Sequence, residues 1–187
     1  MIKLSAVIPA AGRGRRMGSR KAKPYLMLGE KPILAHTLLA LEKIPEIAEV
    51  IVVVSKVDKP VCQSKIIDKY KLKKVKKIIE GGRSRAQSVY RGLKEIDLQY
   101  GLVLIHDGIR PFITRDIVKR VTREAVDFGA AISAIPVDST IKEADRNLLV
   151  KYTLFRDRLW LVQTPQVFRS DLIWQAYTSA SDSKRMS

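Results

Sequence analysis

The chain has 187 residues, 46% of them apolar, which is enough for one core and tight for two domains. Lys and Arg outnumber Asp and Glu 35 to 19, a formal charge of +16, so the partners to expect are anionic: nucleotides, sugar phosphates, nucleic acid or acidic lipid. The single cysteine, Cys62, excludes an internal disulfide and a zinc cluster. No apolar run of about 18 residues is present to span a membrane. The N-terminus MIKLSAVIPAAG lacks a secretory-leader layout, and together these features favour the cytoplasm.

In chain order, LSAVIP (4–9) reads as a buried strand ended by Pro9. PILAHTLLALEKI (32–44) reads as a helix, with Pro32 in its first turn and Ile33, Leu34, Leu38, Leu41 and Ile44 as its apolar stripe. EVIVVVS (49–55) is a β-branched run of strand length. KIIDKYKLKKVKK (65–77) carries seven lysines and reads as a solvated helix face leading into a charged edge strand, where lysines deter aggregation. KKIIEGG ends a short strand at a glycine pair. Ser84 then caps a helix with Ala86, Val89, Leu93 and Ile96 on one face. GLVLIHD (101–107) is a strand. Thr114 caps a helix carrying Ile117, Val118, Val121 and Ala125, with Gly129 past its end. GAAISAIPV (129–137) reads as another buried strand, and Leu172, Ile173 and Ala176 as a core helix. Trp160 and Trp174 read as packing residues.

This alternation predicts an α/β fold: three layers, a mostly parallel sheet with helices on both faces. Residues 138–158 break the pattern and read as a β-hairpin arm around the turn ADRN. A lone two-stranded ribbon is marginal in water, so the arm is expected to pack on a second subunit. No internal repeat or linker divides the chain, which reads as one domain over 1–187.

Ligands of such sheets bind beyond the carboxyl ends of the strands. Four strand-end loops therefore matter: AAGRGRRM, EGGRSR, HDGIRP and PVDSTIK. The first is neither a P-loop, which requires GxxxxGK[ST], nor a dinucleotide fingerprint, because Met17 stands where both need glycine. It is instead a turn of small residues, Ala10, Ala11, Gly12 and Gly14, followed by Arg13, Arg15, Arg16, Lys21 and Lys23. Backbone N–H groups can approach phosphate oxygens there and the cations can neutralise them. Phosphoryl or nucleotidyl transfer needs this arrangement. Asp107 ends a buried strand and needs a partner, either a metal ion or Arg110. His106 reads as a strand-end polar residue rather than a base. No zinc-finger spacing or aromatic RNA-binding run is present and aromatics are only 6%, so nucleic acid is not the expected partner.

PAAGRGRRM, KxKPYLxLGEKPIL, GGRSRAQSV, HDGIRP, PVDSTIK and TPQVF, in this order, closely resemble the 2-C-methyl-D-erythritol 4-phosphate cytidylyltransferases of the non-mevalonate isoprenoid pathway. The resemblance covers residues 3–177. It implies a Rossmann-like nucleotidyltransferase that takes CTP and Mg²⁺ and works as a homodimer. It implies catalytic roles for Arg16 and Lys23, and nucleotide contacts from Pro9, Ala10, Ala11, Gly12, Gly14, Gly82, Arg85 and Ser88. Asp107 would organise Mg²⁺ and substrate. Arg110 and Thr164 would touch the sugar phosphate, as would Thr140 and Arg156 from an arm that reaches the neighbouring subunit.

Two features depart from the family pattern. HDGIRP stands where the family usually has HDAARP. After Tyr177 the sequence does not show the family's acidic TDD-like segment, its following strand, or its NIK(I/V)T-like block, whose lysine would sit on the CTP phosphates. The resemblance therefore implies an impaired sheet edge and one cation fewer. Two alternatives stay open on the sequence: a ribitol-5-phosphate or other sugar-phosphate cytidylyltransferase, and a non-catalytic nucleotide- or nucleic-acid-binding protein.

Overall fold

A computed structural model of the protein describes residues 2–12 and 22–182. The elements are β1 (Leu4–Pro9), β2 (Met27–Leu28), β3 (Lys31–Pro32), α1 (Ile33–Glu42), β4 (Ile47–Val54), α2 (Lys59–Cys62, continued as a π-helix over Gln63–Asp68) and β5 (Val75–Glu80). There follow α3 (Arg85–Leu93), β6 (Leu102–Ile105), α4 (Arg115–Phe128), β7 (Ala130–Pro136), β8 (Lys142–Ala144), β9 (Val150–Thr153), β10 (Trp160–Arg169) and α5 (Ser170–Asp182).

The six-stranded sheet has the order β5-β4-β1-β6-β10-β7. β1 pairs parallel with β4 and β6, and β4 pairs parallel with β5. β10 runs antiparallel to both β6 and β7. Alternation along the strands sorts the core into two layers. Ala6, Ile8, Val50, Val52 and Leu104 face a cluster with Leu34, Leu38 and Leu41 of α1, Ile66, and Val118 and Val121 of α4. Val7, Val53, Val103 and Ile105 face the other way, onto Val89 and Leu93 of α3 and Ile173 of α5. Full burial of each large side chain among these stabilises the fold by about 1.5–3 kcal/mol, which is why the three inner parallel strands, β4, β1 and β6, need helices on both faces.

The helix caps fall where the sequence placed them. The Ser84 hydroxyl accepts from Gln87 N–H and the Thr114 hydroxyl from Ile117 N–H, while Gly129 closes α4 with φ of 83°. The lysine-rich run is also as expected: Ile66, Ile67 and Leu72 turn inward, most of the lysines stay in solvent, and β5 is an edge strand. Glu46, beside the start of β4, is clasped by the Arg115 guanidinium at 2.8–3.1 Å, which pins α4 to the sheet.

Three expectations are corrected. β7 is an edge strand rather than a buried one, with Ile132 and Ile135 about half exposed, because β10 inserts between it and β6. β10 itself was not anticipated. Trp160, at the start of β10, is 56% exposed and packs on little within this chain. By contrast Trp174 sits 6.0 Å from the Tyr90 ring. In α5 only Ile173 of the expected core trio is buried, since Leu172 and Ala176 are exposed.

Candidate active site

The carboxyl ends of β1, β4, β5 and β6 open into one cleft of about 830 Å³. Its floor is built by close backbone approach. Ala10 N–H donates to the Val53 carbonyl at 2.7 Å and Gly81 N–H to the Val54 carbonyl at 2.8 Å, so both loops hang from β4. A Cβ on Gly81 would lie 2.5 Å from the Ala11 Cβ and 2.9 Å from Ser88 Oγ. Only a residue without a side chain lets the β1 and β5 loops touch here.

Ser88 is buried and fastens the second loop. Its hydroxyl accepts from Gly82 N–H at 3.0 Å and donates to the Ser84 carbonyl at 2.9 Å. Gln87 adds a further clasp by accepting Arg83 N–H at 2.9 Å. Arg85 and Ser88, one turn apart on α3, both line the cleft, as the i, i+3 spacing predicted.

Asp107 at the end of β6 receives two guanidinium groups. Arg85 Nε and Nη2 donate to Oδ1 at 3.0 and 2.9 Å, and Arg110 Nε donates to Oδ2 at 3.1 Å. Arg110 Nη1 also donates to the Gln163 side-chain oxygen. The partner that Asp107 was expected to need is thus Arg110, joined by Arg85. These pairs are partly exposed, so their contribution is orientation more than stability. Cations lining the cleft are Lys23, Lys56, Arg83 and Arg85, against Glu80 and Asp107. With the two arginines compensating Asp107, the cleft remains an anion site. Lys23 opens the 3₁₀ turn Lys23–Tyr25, which is anchored by buried Pro24.

His106 is almost fully buried. Its Nε2 faces the Arg110 carbonyl at 2.9 Å and its Nδ1 the Thr164 hydroxyl at 3.0 Å. Burial pushes the ring down to about 4, so it is neutral near pH 7, in line with a non-basic role. The Cys62 thiol is pushed up to about 12 by burial and is no nucleophile. A second cavity of about 730 Å³ begins at Arg110, Gln163 and Thr164 and shares Ile109 with the cleft. It is walled largely by apolar side chains such as Phe112, Ile117, Ile132 and Ile135.

Pro9, Ala10, Ala11, Gly12, Lys23, Gly82, Arg85, Ser88 and Asp107 all line the cleft, and Arg110 and Thr164 flank it in the adjoining cavity. Thr140 and Arg156 are not brought there. Both are exposed in the arm, where Arg156 Nη1 donates to the Asp138 carbonyl at 2.8 Å. Arg16 and Gly14, with Arg13, Arg15 and Lys21, lie outside the described residues. Gly108, the departure in HDGIRP, has no room for a side chain: a Cβ would stand 2.9 Å from both the Ala10 Cβ and Leu34 Cδ1. Sequence reasoning missed Lys56 and Gln163. Lys56 follows β4 and the same strand-end rule would have found it, whereas Gln163 carried no comparable signal.

Among the described residues no group of three or more His, Cys, Asp or Glu side chains could hold a metal ion. A nucleotide-borne Mg²⁺ does not need such a group, since it keeps its waters and takes one or two carboxylates besides the phosphates. Asp107 fits that more modest demand.

A mostly parallel sheet whose strand-end loops form a cationic, glycine-floored cleft is the architecture of a Rossmann-like nucleotidyltransferase. The model of the 2-C-methyl-D-erythritol 4-phosphate cytidylyltransferase family matches residues 4–186. A relative of that name from Alkaliphilus metalliredigens is 46% identical over 184 residues, covering 98% of this chain and 76% of the relative. One from Syntrophus aciditrophicus is 43% identical over 178 residues, with 95% and 76% covered. Among solved structures, the 4-diphosphocytidyl-2C-methyl-D-erythritol synthase of Anaerococcus prevotii superposes with a TM-score of 0.82 at 33% identity, covering 96% of this chain and 75% of that one. The 2-C-methyl-D-erythritol 4-phosphate cytidylyltransferase of Thermus thermophilus gives 0.74 at 32%, covering 97% and 78%. The chain belongs to the 2-C-methyl-D-erythritol 4-phosphate cytidylyltransferase family. Membership favours this reading over both the ribitol phosphate and the non-catalytic alternatives.

Proposed function

We propose that the protein transfers the cytidylyl group of CTP to 2-C-methyl-D-erythritol 4-phosphate, giving 4-diphosphocytidyl-2-C-methyl-D-erythritol and pyrophosphate in non-mevalonate isoprenoid synthesis. The observation that carries this reading is the convergence of Lys23, Lys56, Arg83 and Arg85 on one cleft whose floor is Gly81 against Ala11. The acceptor phosphate is already an anion at neutral pH and can attack the α-phosphorus in line as pyrophosphate leaves. No general base is needed. The work lies in bringing polyanions together and supporting charge in the transition state.

In this reading Arg16 and Lys23 provide that support, each worth about 3 kcal/mol, on the scale of one oxyanion donor. Ala11, Gly12 and Gly14 cradle base and phosphates through backbone N–H groups, while Pro9, which has no N–H, and Ala10, whose N–H is taken by the Val53 carbonyl, line the turn that presents them. Gly82, Arg85 and Ser88 contact the cytidine, and Ser88 does so partly by holding the loop that carries Gly82. Arg110 and Thr164 meet the acceptor. Asp107 helps hold the nucleotide-bound Mg²⁺, which supplies charge neutralisation on the phosphates when bound.

The chain forms a single nucleotidyltransferase domain, and the 138–158 arm makes a homodimer in which Thr140 and Arg156 complete the neighbouring copy's acceptor site. The arm's exposed Leu148, Leu149, Val150 and Phe155 suit such an interface. No helix among the described residues is long and apolar enough to cross a membrane, which accords with a cytoplasmic enzyme. Pyrophosphate release from CTP, measured with methylerythritol phosphate and with ribitol phosphate in turn, tests the reading. Turnover only with the second acceptor, or with neither, overturns it.

A further inference from the structure

The hydrogen bonds around His106 admit one arrangement of protons. The Arg110 carbonyl only accepts, so the 2.9 Å contact to Nε2 requires the proton on Nε2. Nδ1 is then bare. Asp107 N–H donates to Thr164 Oγ1 at 3.2 Å, so the hydroxyl proton points to Nδ1 at 3.0 Å. A one-way chain results: Asp107 N–H to Thr164 Oγ1, Thr164 O–H to His106 Nδ1, His106 Nε2–H to Arg110 C=O. The His106 main chain is fixed independently, since its N–H donates to the Val7 carbonyl at 3.1 Å.

We propose that His106 is a positioning residue for the acceptor side of the site: in a single tautomer it ties both ends of the 107–110 turn to Thr164 of β10. Three groups assigned to acceptor and metal are thereby locked to one ring. Asp107 is held through its amide, Arg110 through its carbonyl and Thr164 through its hydroxyl. The Asp107 carboxylate stays free to face the cleft, where it accepts from Arg85, and the Arg110 guanidinium faces the adjoining cavity while donating to the same carboxylate. His106 is only 1% exposed, and neither ring nitrogen has a lone pair or proton to spare. It cannot exchange protons with substrate, which separates this role from general-base catalysis. Loss of the ring would leave the partly buried Arg110 carbonyl without this donor and the Thr164 hydroxyl without its acceptor.

The proposal rests on the cytidylyltransferase reading of the site, and wild-type turnover tests that reading separately. ¹⁵N NMR of the substrate-free full chain at neutral pH reads the ring without any turnover. It should show Nε2 protonated and Nδ1 bare, with the Nδ1 resonance moving in Thr164→Val. A ring protonated on Nδ1, or on both nitrogens, overturns the proposal whether or not the enzyme is active. Kinetics supply the second arm. His106→Asn can keep the Thr164 contact but falls short of Arg110, while His106→Gln can reach Arg110 and loses Thr164. Each is expected to raise KM for the sugar phosphate by about tenfold, the scale of one buried hydrogen bond left unmade, with KM for CTP changed much less. Equal changes in both KM values that track a fall in Tm would mean a merely structural histidine.

Discussion

Gly81 and Ala11 meet so closely that a methyl group on the glycine would lie 2.5 Å from the alanine Cβ. The contact joins the loops that follow β1 and β5, and it sets the width of the cleft floor. Gly81→Ala should push the loops apart. We expect KM for CTP to rise by about tenfold or more, since overpacking a tight contact costs about 1–3 kcal/mol. KM for the sugar phosphate should change much less. Steady-state kinetics with each substrate varied in turn checks this, and an unchanged KM for CTP would show that the floor yields.

Lys23→Met keeps the bulk of the side chain and removes its charge. Turnover at saturating substrates should fall by about 10²–10³, the range for losing one transition-state donor. An undiminished kcat would remove Lys23 from the catalytic assignment.

Ser88→Ala leaves the partly buried Gly82 N–H without its acceptor. A loss of about 1–3 kcal/mol is expected, measured as a shift of the urea midpoint. CTP binding should weaken in step. A stable variant with weak CTP binding would instead point to direct contact alone.

Glu46 links stability to pH. The Arg115 guanidinium bonded to it holds its carboxyl below the ordinary value of 4.5. The unfolded chain therefore takes up this proton at higher pH than the fold does, so stability falls as pH drops. The contribution is fully present above about pH 4.5 and is lost as pH passes down through the lower folded value. In denaturant titrations, Glu46→Gln should lose less stability than wild type between neutral and acidic pH. Equal losses would show that the pair carries no such linkage.

The arm predicts complementation between subunits. A Lys23→Met chain and an Arg156→Gln chain, each poorly active alone, should regain part of the wild-type rate when mixed and allowed to exchange. One mixed-dimer site would then hold both intact residues. No gain over the sum of the two, in dimers shown to have exchanged, would place Arg156 in its own chain's site.

Much of this architecture can be read from residue order, for a physical reason. The stripes Leu34–Leu38–Leu41 and Val118–Val121–Ala125 repeat at the helical period and must face a core, and Ser84 and Thr114 can only be caps. The β-branched run of β4 has no polar face, so burial on both sides follows. What could not be read depends on partners distant in sequence. β10 is broken by Gln163, Pro165 and Gln166 and shows no clean alternation. Its place between β6 and β7 follows from pairings such as Val167 with Leu104 and Ala131. The same insertion makes β7 an edge, which its apolar composition conceals. In the site, the turn of small residues and the Asp107–Arg110 pair were legible because small residues and opposite charges have few other uses at strand ends, whereas the second guanidinium on Asp107, from Arg85, was not, since it comes from a helix 22 residues away. Gln163 was not, because an amide in a strand is unremarkable until Arg110 is found beside it.

β7 and β10 are adjacent antiparallel strands, with Pro136 opposite Trp160 and Val137 N–H closing onto the Leu159 carbonyl at 3.2 Å. Residues 138–158 are therefore an enlarged bend between two strands that already meet, and their excision would leave the sheet's hydrogen-bond ladder whole. A relative could lengthen, shorten or exchange that bend without unpairing any strand of the sheet or disturbing the cleft at the carboxyl ends of β1, β4 and β5.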